Sequence, residues 1–397
     1  MCLEKGTAFE MARVGSGFQR FAMEIQKERW KKRRGTGRLV GERQRGRVSI
    51  EEPTMNATES RFATAPDGGA VTLFVLENEN GVRLSAMSHG ATLVGVEVPG
   101  PNGTRVNLVL SHGTLEEYVK DTEFLGCIVG RFANRIARGS FVLDGKRYTL
   151  ACNDGPNAMH GGLRGFDKVG WNGRLFRKGD EAGIRFSYTS PQGEEGYPGT
   201  LVVDAEYALT EKNELSMEYW ATCDAPTPVN ITNHSYWNLA GAGAGTVLAH
   251  EVSFNCPFYL PSNEDLVPTG EVLATAGTPF DFSVPKAIGK DMDAVPGGYD
   301  HCLVIDKPSG ALGLACTARD PASGRTMKVF TTKPGVQFYT GNFLHSDKHP
   351  RHSGFCVETQ HFPDAPNRGH FPSSILRPGE TYHQRTVHEL VLENPDA

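Results

Sequence analysis

The chain has 397 residues, of which 39% are hydrophobic and 22% are charged, and it contains 46 Gly and 24 Pro. This composition is typical of a turn-rich globular protein and argues against a disordered chain. No run of about 18 apolar residues is present, so the sequence predicts no membrane span. The net charge is −5 at pH 7. An acidic body lacks the basic face that binding to nucleic-acid phosphates requires, which excludes that class of partner for the main domain.

Residues 1–54 differ in composition from the remainder of the chain. They hold 13 Lys and Arg against seven Glu, a net charge of +6, which leaves about −11 for the rest. This bias predicts a basic, disordered extension, which we place at residues 1–57, followed by a single domain at 58–397. A targeting role for the basic cluster and an alternative start at Met55 both remain open.

The cysteines are widely spaced, contain no C-x-x-C pair and follow no secretory signal. This arrangement predicts free, mostly buried thiols and a reducing, cytoplasmic location. They are Cys2, Cys127, Cys152, Cys223, Cys256, Cys302, Cys316 and Cys356.

After residue 64 the chain consists of short β-rich segments separated by Gly, Pro, Asn and Asp. The clearest pair lies at 201–209 and 215–221, where apolar and polar residues alternate with a period of two. Such alternation is typical of strands with one buried and one wet face. Further strands are predicted at 71–76, 82–87, 91–98, 106–110, 250–260, 301–306, 312–319, 326–332, 336–339 and 355–359.

One short helix interrupts this pattern at 114–120, where Thr114 and Glu117 have the spacing of a capping box. A hairpin is predicted at 140–150, with its turn at Asp144 and Gly145. Well over ten strands with almost no helical periodicity predict an all-β fold. We therefore expect a large antiparallel β-sandwich with a few short helices.

Four segments collect polar residues that a sandwich core does not require. His234 follows strand-forming residues and precedes a Gly-rich turn, so we expect it at a strand end, among hydroxyl, amide and aromatic groups that suit a sugar. Glu358 has apolar neighbours in a strand, where a carboxylate is costly unless it is paired or used. A structural histidine and a solvent-facing glutamate remain the alternatives. The segments are 153–162 with His160, 231–239 with His234, 297–301 with Asp300, and 355–361 with Glu358.

A second group of histidines lies near the C-terminal end, close to two aspartates. Its spacing matches neither H-E-x-x-H nor C-x-x-C, and Pro350 interrupts any helix that could align the side chains. We therefore predict no metal site there. The group consists of His345, His349, His352 and His361 with Asp347 and Asp364.

Taken together, the polar segments resemble the aldose 1-epimerase (galactose mutarotase) family from about Thr64 to the C-terminus. Six motifs follow one another in the family's order, which makes the resemblance specific. They lie at 130–136 (GRFANRI), 157–171 (NAMHGG with GFDK and Trp171), 230–239 (NITNHSYWNL), 298–301 (GYDH), 334–342 (PGVQFYTGN) and 353–360 (SGFCVETQ).

The resemblance implies a large β-supersandwich with a sugar cleft on its concave face. It implies a mutarotase that interconverts the α and β anomers of free aldohexoses such as galactose and glucose, with Glu358 as general base and His234 as general acid. It implies neither a cofactor nor a metal. Contacts to sugar hydroxyls are implied for Asn134, Arg135, His160, Asp300 and Gln337.

This assignment agrees with what the chemistry requires. Opening a hemiacetal removes the proton of the C1 hydroxyl and protonates the ring oxygen, and rotation about C1–C2 before reclosure inverts the centre. A carboxylate suits the first task and an imidazolium the second. We expect a nearby carboxylate to raise the pKa of His234 and so to enlarge its acid fraction.

Three other functions remain open at this point. A hexose-6-phosphate 1-epimerase would need additional cations for the phosphate. A non-catalytic sugar-binding sandwich would not need both Glu358 and His234. A glycoside hydrolase would need a second carboxylate, for which Asp300 is the candidate. The segment at 344–351 looks short and His-rich for the family, which leaves the preferred aldose open, and we expect a monomer or weak dimer.

Overall fold

Antiparallel strands account for nearly all regular structure in the computed structural model, which describes residues 55–179 and 181–392. The chain begins with β1 (Asn56–Thr64), β2 (Ala70–Glu77), β3 (Arg83–Met87), β4 (Thr92–Pro99), β5 (Arg105–Asn107), β6 (Ile128–Val129), β7 (Arg135–Ile136), β8 (Ser140–Leu143), β9 (Lys146–Thr149), β10 (Ala158–Met159), β11 (Asn172–Lys178), β12 (Glu181–Ser190) and β13 (Leu201–Thr210).

The chain continues through short and long strands in alternation with loops. These strands are β14 (Glu214–Cys223), β15 (Thr227–Pro228), β16 (Thr232–Asn233), β17 (Glu251–Phe254), β18 (Phe258–Tyr259), β19 (Leu273–Ala274), β20 (Lys286–Ala287), β21 (Asp300–Val304), β22 (Gly313–Arg319), β23 (Thr326–Thr331), β24 (Gly335–Tyr339), β25 (Cys356–Gln360), β26 (Ile375–Leu376) and β27 (Tyr382–Val391).

A single α-helix, α1 (Leu115–Lys120), occurs in the described part of the chain. Its predicted capping box is confirmed, because Thr114 Oγ1 accepts from the backbone N–H of Glu117 at 3.3 Å and Glu117 Oε2 accepts from that of Thr114 at 2.8 Å. None of the helices there is long and apolar enough to cross a membrane. Short 3₁₀ turns lie at Pro101–Gly103, Ala137–Gly139, Phe166–Lys168, Glu194–Gly196, Met292–Ala294 and Ala365–Asn367.

Three larger sheets organise the strands. One has nine strands in the order β11-β12-β13-β14-β27-β23-β22-β17-β20, and two have five, in the orders β1-β2-β3-β4-β5 and β19-β18-β21-β24-β25. The strand pairs within these sheets are antiparallel. The predicted all-β antiparallel fold is confirmed.

The sheets pack face to face through a shared apolar core. Phe74 of β2 and Phe186 of β12 meet edge to face with ring centroids 5.7 Å apart, which joins the first five-stranded sheet to the nine-stranded sheet. Phe254 of β17 and Phe338 of β24 lie 5.0 Å apart and join the second five-stranded sheet to the nine-stranded one. The fold is therefore the β-sandwich that the period-two alternation predicted.

The predicted hairpin and the clearest strand pair are both confirmed. In β13, Val203 and Tyr207 are fully buried while Glu206 is partly exposed. This strand pairs with β14 in a register that places Ala205 opposite Tyr219. The predicted hairpin forms from β8 and β9.

Two strand predictions were wrong in their bounds. Residues 250–260 do not form one strand: β17 joins the nine-stranded sheet and β18 joins the second five-stranded sheet. Pro257 lies between them, and proline has no N–H to donate to a ladder. The strand predicted at 106–110 is β5, which ends at Asn107.

One long strand was not predicted at all. β1 pairs along β2 from Asn56, opposite Glu77, to Thr64, opposite Ala70. Its residues are mostly polar and exposed, as expected for an edge strand with little apolar periodicity. Asn56 and Ala57, which we placed in the basic extension, are thus part of this strand. The prediction for residues 1–54 lies outside the described residues.

Candidate active site

The predicted site residues come from six separate segments, five of which contribute to one cavity of about 420 Å³. β24 and β25 contribute Tyr339 and Glu358 to its lining, and Gln337 of β24 is paired directly with Glu358. β21 adds Asp300 beside β24. Six of the seven predicted residues line the cavity: Asn134, Arg135, His160, His234, Asp300 and Glu358.

Glu358 is buried in the centre of β25, with 2% of its surface exposed. All five residues of this strand are buried, so the alternative of a solvent-facing glutamate is wrong. Its Oε2 has no hydrogen-bond partner within the described residues. Burial raises the pKa of Glu358 well above its usual value, the Asp300 carboxylate adds to this, and Arg135 opposes it.

His234 follows β16, at the strand end where the sequence predicted it. Its backbone N–H donates to the carbonyl of Cys127 at 2.9 Å, and its carbonyl accepts from Gly126 at 3.0 Å. These two hydrogen bonds fix the backbone of His234, from which the imidazole extends. The imidazole Nε2 lies 3.7 Å from Oε1 of Glu358, and Nδ1 lies 3.8 Å from Sγ of Cys356.

Burial lowers the pKa of His234 to about 4, although the carboxylates of Asp121 and Asp300 act in the opposite direction. Our expectation that a nearby carboxylate raises this pKa was therefore wrong, because desolvation of the imidazolium outweighs the attraction. Burial thus favours the uncharged form of both groups, a protonated Glu358 and a neutral His234.

His160 and Asn134 are held by each other in strained backbone conformations. Their φ angles are 52° and 64°, in the left-handed region that non-glycine residues rarely adopt. The backbone N–H of Asn134 donates to Nδ1 of His160 at 3.3 Å. Burial, His234 and Arg135 lower the pKa of His160 well below its usual value. His160 is thus a neutral imidazole whose proton is on Nε2, available to a ligand.

Asp300 is held between a guanidinium and an amide. Nε2 of Gln337 donates to its Oδ1 at 2.6 Å, and Nη1 of Arg135 lies 3.8 Å from its Oδ2. Arg135 is itself anchored, because its Nε donates to Oδ2 of Asp154 at 2.6 Å. Gln337 is 3% exposed and lies beside Asp300 rather than in the cavity lining.

A family model described as aldose 1-epimerase matches residues 72–389. The chain belongs to the aldose 1-epimerase family. Galactose mutarotase from Sus scrofa is 44% identical over 341 residues, 84% of this chain and 98% of that protein. The Homo sapiens galactose mutarotase is 44% identical over 340 residues, 83% of this chain and 97% of that protein. The resemblance predicted from the motifs is confirmed, and the protein is an isomerase that acts on carbohydrates.

Solved structures agree with this membership. A GalM/aldose epimerase homologue from C. elegans is 32% identical and superposes with a TM-score of 0.73, over 80% of this chain and 98% of that one. The β-sandwich of the aldose 1-epimerase family thus extends over nearly all of the described part of this protein.

Aromatic side chains of this epimerase form walls that sequence reasoning did not assign to the site. Tyr236 and Tyr339 lie with ring centroids 5.9 Å apart, and Phe124 and Phe343 also line the cavity. The hydroxyl of Tyr236 donates to the Glu123 carbonyl at 2.9 Å, which orients its ring. Tyr236 lies in the family motif at 230–239, and Tyr339 lies in the one at 334–342. Their positions in these motifs were the signal in the sequence that could have assigned them to the site.

Arg131, which belongs to the motif at 130–136, does not line the cavity. Its Nη1 donates to the carbonyls of Pro198 and Gly199, both at 2.9 Å, and 2% of its surface is exposed. It therefore anchors a buried loop. Leu344 of the segment at 344–351 does line the cavity.

The His-rich C-terminal group has separate partners. His349 Nε2 contacts the Ser111 carbonyl at 3.1 Å, and His352 Nδ1 contacts that of Thr340 at 2.7 Å.

Within the candidate active site, ligand atoms of His160, His234 and Glu358 lie within 4.8 Å of one another. Two imidazole nitrogens and a carboxylate are a donor set that a zinc ion accepts.

Proposed function

We propose that the protein is a mutarotase for unphosphorylated aldohexoses such as galactose and glucose, with Glu358 as general base and His234 as general acid. The observation that carries the proposal is the buried pair itself: a carboxylate and an imidazole 3.7 Å apart, facing a cavity of about 420 Å³. Membership of the aldose 1-epimerase family supports it.

In the proposed reaction the carboxylate of Glu358 takes the proton of the C1 hydroxyl while the imidazolium of His234 protonates the ring oxygen. The bond between C1 and the ring oxygen then breaks, and the open-chain aldehyde forms. After rotation about C1–C2, neutral His234 takes the proton back from the hydroxyl and Glu358 returns its proton to the carbonyl oxygen. No net proton is gained or lost.

Substrate binding must first redistribute the one proton of the pair. Burial opposes charge on both groups and so favours the proton on Glu358 over the proton on His234. A sugar hydroxyl that donates to the Glu358 carboxylate favours its ionised form. We propose that this hydrogen bond moves the proton to His234, which yields the base and acid that ring opening requires.

The remaining predicted residues are proposed to hold sugar hydroxyls. Asp300 offers carboxylate oxygens, while Arg135 and the Nε2–H of His160 offer donors. Asn134 is proposed as a further contact. We propose that Gln337 acts on the sugar through Asp300. Its Nε2 donates to Oδ1 of Asp300 at 2.6 Å and so orients that carboxylate.

The charge of the cavity favours a free sugar over the hexose-6-phosphate alternative. Among the described residues that line it, Arg135 is the sole Lys or Arg. A phosphate dianion would meet repulsion that few cations offset. The carboxylates of the lining are Glu123, Asp154, Glu264, Asp265, Asp300 and Glu358.

Polarimetry of freshly dissolved α-D-galactose and α-D-glucose tests the proposal. We expect wild type to accelerate mutarotation, and Glu358→Gln and His234→Asn each to lower the rate by at least about 10²-fold, the usual contribution of a positioned acid or base. Glu116→Gln on the exposed surface of α1 is the matched control. An unchanged spontaneous rate with wild type would favour a non-catalytic sugar-binding protein, and activity on glucose 6-phosphate alone would favour the phosphate epimerase.

We also propose a cytoplasmic monomer or weak dimer whose partner is the aldose, with no nucleic acid bound by the main domain. The described cysteines are all free, and Cys152 is the exposed one among them, which suits a reducing compartment. Light scattering during gel filtration measures the mass, and localisation of a tagged chain tests the compartment.

A further inference from the structure

A second cavity, of about 840 Å³, lies at the other end of the strands that carry the active site. Lys333 and Pro334 precede β24, and His361 follows β25, so the same two strands border both cavities. The two linings share no residue. The second cavity is therefore a separate feature of the fold, and the proposed reaction does not use it.

Lys333 is the decisive residue of this cavity. It is 4% exposed, and its Nζ lies over the ring of Tyr382, 4.1 Å from the centroid. A cation can bind an aromatic face in this way, but no carboxylate within the described residues forms an ion pair with it. A buried ammonium without an anion is costly, so an anionic ligand bound beside Lys333 would stabilise its charged form.

Further polar groups of the lining also lack partners or add positive charge. Nδ1 of His361 and Oγ of Ser374 are buried without a hydrogen bond among the described residues. Lys307 Nζ donates to the carbonyl of Thr332 at 3.0 Å, which leaves two of its three donors free for a ligand. The single carboxylate of the described lining, Glu380, already accepts from the backbone of Arg377 at 3.0 Å.

We propose that this cavity binds the phosphate group of a small organic phosphate, with Lys333, Lys307 and His361 as its cationic partners and Ser374 as a hydroxyl donor. The cavity is larger than a phosphate ion, so it has room for the organic part of the ligand. A phosphate dianion carries the charge and the acceptor oxygens that these donors match.

The electrostatics of the cavity agree with this proposal. Burial and the neighbouring Lys307 lower the pKa of Lys333 well below its usual value, and burial and Lys333 do the same for the pKa of His361. A bound anion favours the protonated forms of both groups. Binding therefore takes up protons and strengthens as the pH falls. The titratable groups that line the cavity are Lys307, Lys333, His361, Glu380, Tyr382 and His383.

Isothermal titration calorimetry with glycerol 3-phosphate tests the proposal, because this probe has no anomeric centre and cannot be an aldose substrate. We expect saturable binding to wild type and at least a tenfold weaker Kd with Lys333→Met, which keeps the length of the side chain but removes its charge. Lys290→Met, outside this lining, is the matched control and should bind as wild type does. Circular dichroism and thermal unfolding verify that the variants fold.

Sulfate is the second probe, since its charge is constant between pH 6 and 8. It should bind more tightly at pH 6, and glycerol should not bind at either pH. Absent binding of glycerol 3-phosphate up to about 10 mM, or unchanged affinity in folded Lys333→Met, would overturn the proposal. Equal binding of acetate would overturn the phosphate assignment. Because binding is measured directly, these outcomes do not depend on whether the protein is a mutarotase.

Discussion

Nε2 of His234 lies 3.7 Å from Oε1 of Glu358, and both side chains are almost fully buried. Burial shifts their pKa values in opposite directions: it lowers that of the histidine to about 4 and raises that of the glutamate. Over the pH range between these values the pair holds one proton. Such a pair can act as acid and base in turn, which an anomerisation requires in its two halves.

This relationship predicts the pH dependence of catalysis. The profile of kcat/KM for α-D-galactose should fall on the acid side near pH 4, where His234 gains a proton and the pair holds two. On the alkaline side it should fall when Glu358 loses its proton. Stopped-flow polarimetry from pH 3.5 to 10 measures both limbs. An acid limb near 6.5 would show that the imidazole titrates as an exposed histidine.

Asp300→Asn should move the alkaline limb of the same profile. The charge of Asp300 raises the pKa of Glu358, so its removal makes Glu358 ionise more readily and the limb shifts to lower pH. KM should also rise, because the substitution weakens the acceptor that we propose for a sugar hydroxyl. Asp144→Asn, whose exposed carboxylate pairs with Arg377, is the control. A limb that stays in place would mean that Asp300 does not act on Glu358.

Glu358→Gln should be more stable than wild type at neutral pH. A carboxyl group whose pKa is raised on folding loses stability as the pH rises from the unfolded pKa to the folded one, because the unfolded state releases its proton first. A glutamine does not ionise and so removes this pH-dependent cost. The gain in Tm should be larger at pH 7.5 than at pH 4.5. Equal or lower Tm at both pH values would contradict the buried, neutral glutamate.

Acid should destabilise the protein through its buried histidines. Burial lowers the pKa of His388, which stacks on Trp237 with ring centroids 5.1 Å apart, to about 4. The unfolded state therefore binds more protons between about pH 6.5 and 4, and stability falls as the pH falls through this window. His388→Phe should retain about 2 kcal/mol more of its neutral-pH stability at pH 5 than wild type, as urea denaturation would measure. Exposed His345→Gln should show no such gain.

Zinc should inhibit the enzyme by occupying the groups proposed to be catalytic. His160, His234 and Glu358 have ligand atoms within 4.8 Å of one another, and a bound ion would hold His234 and Glu358 away from the sugar. We expect inhibition by micromolar Zn²⁺, relief by EDTA, and weaker inhibition of a His160→Asn variant. EDTA alone should leave the rate unchanged. A rate that falls with EDTA and returns with metal would show that the reaction needs an ion.

The sequence by itself determined the class of the fold and the identity of six residues that line the cavity. Period-two alternation at Val203 and Tyr207 predicted buried and wet sheet faces, and the Thr114–Glu117 spacing predicted the cap of α1, because both depend on local geometry. The polar segments around His234 and Glu358 stood out because a core strand does not otherwise tolerate such groups.

The tertiary structure alone decided the properties that depend on burial and on contacts between distant segments. It placed Glu358 inside a fully buried strand and reversed the expected pKa shift of His234, because desolvation is set by the surrounding sheets. It assigned Arg131 to a structural loop and Gln337 to the support of Asp300. The sequence did not single out Lys333, which the fold buries, because the neighbours that remove it from water, such as Tyr382, are far away in sequence.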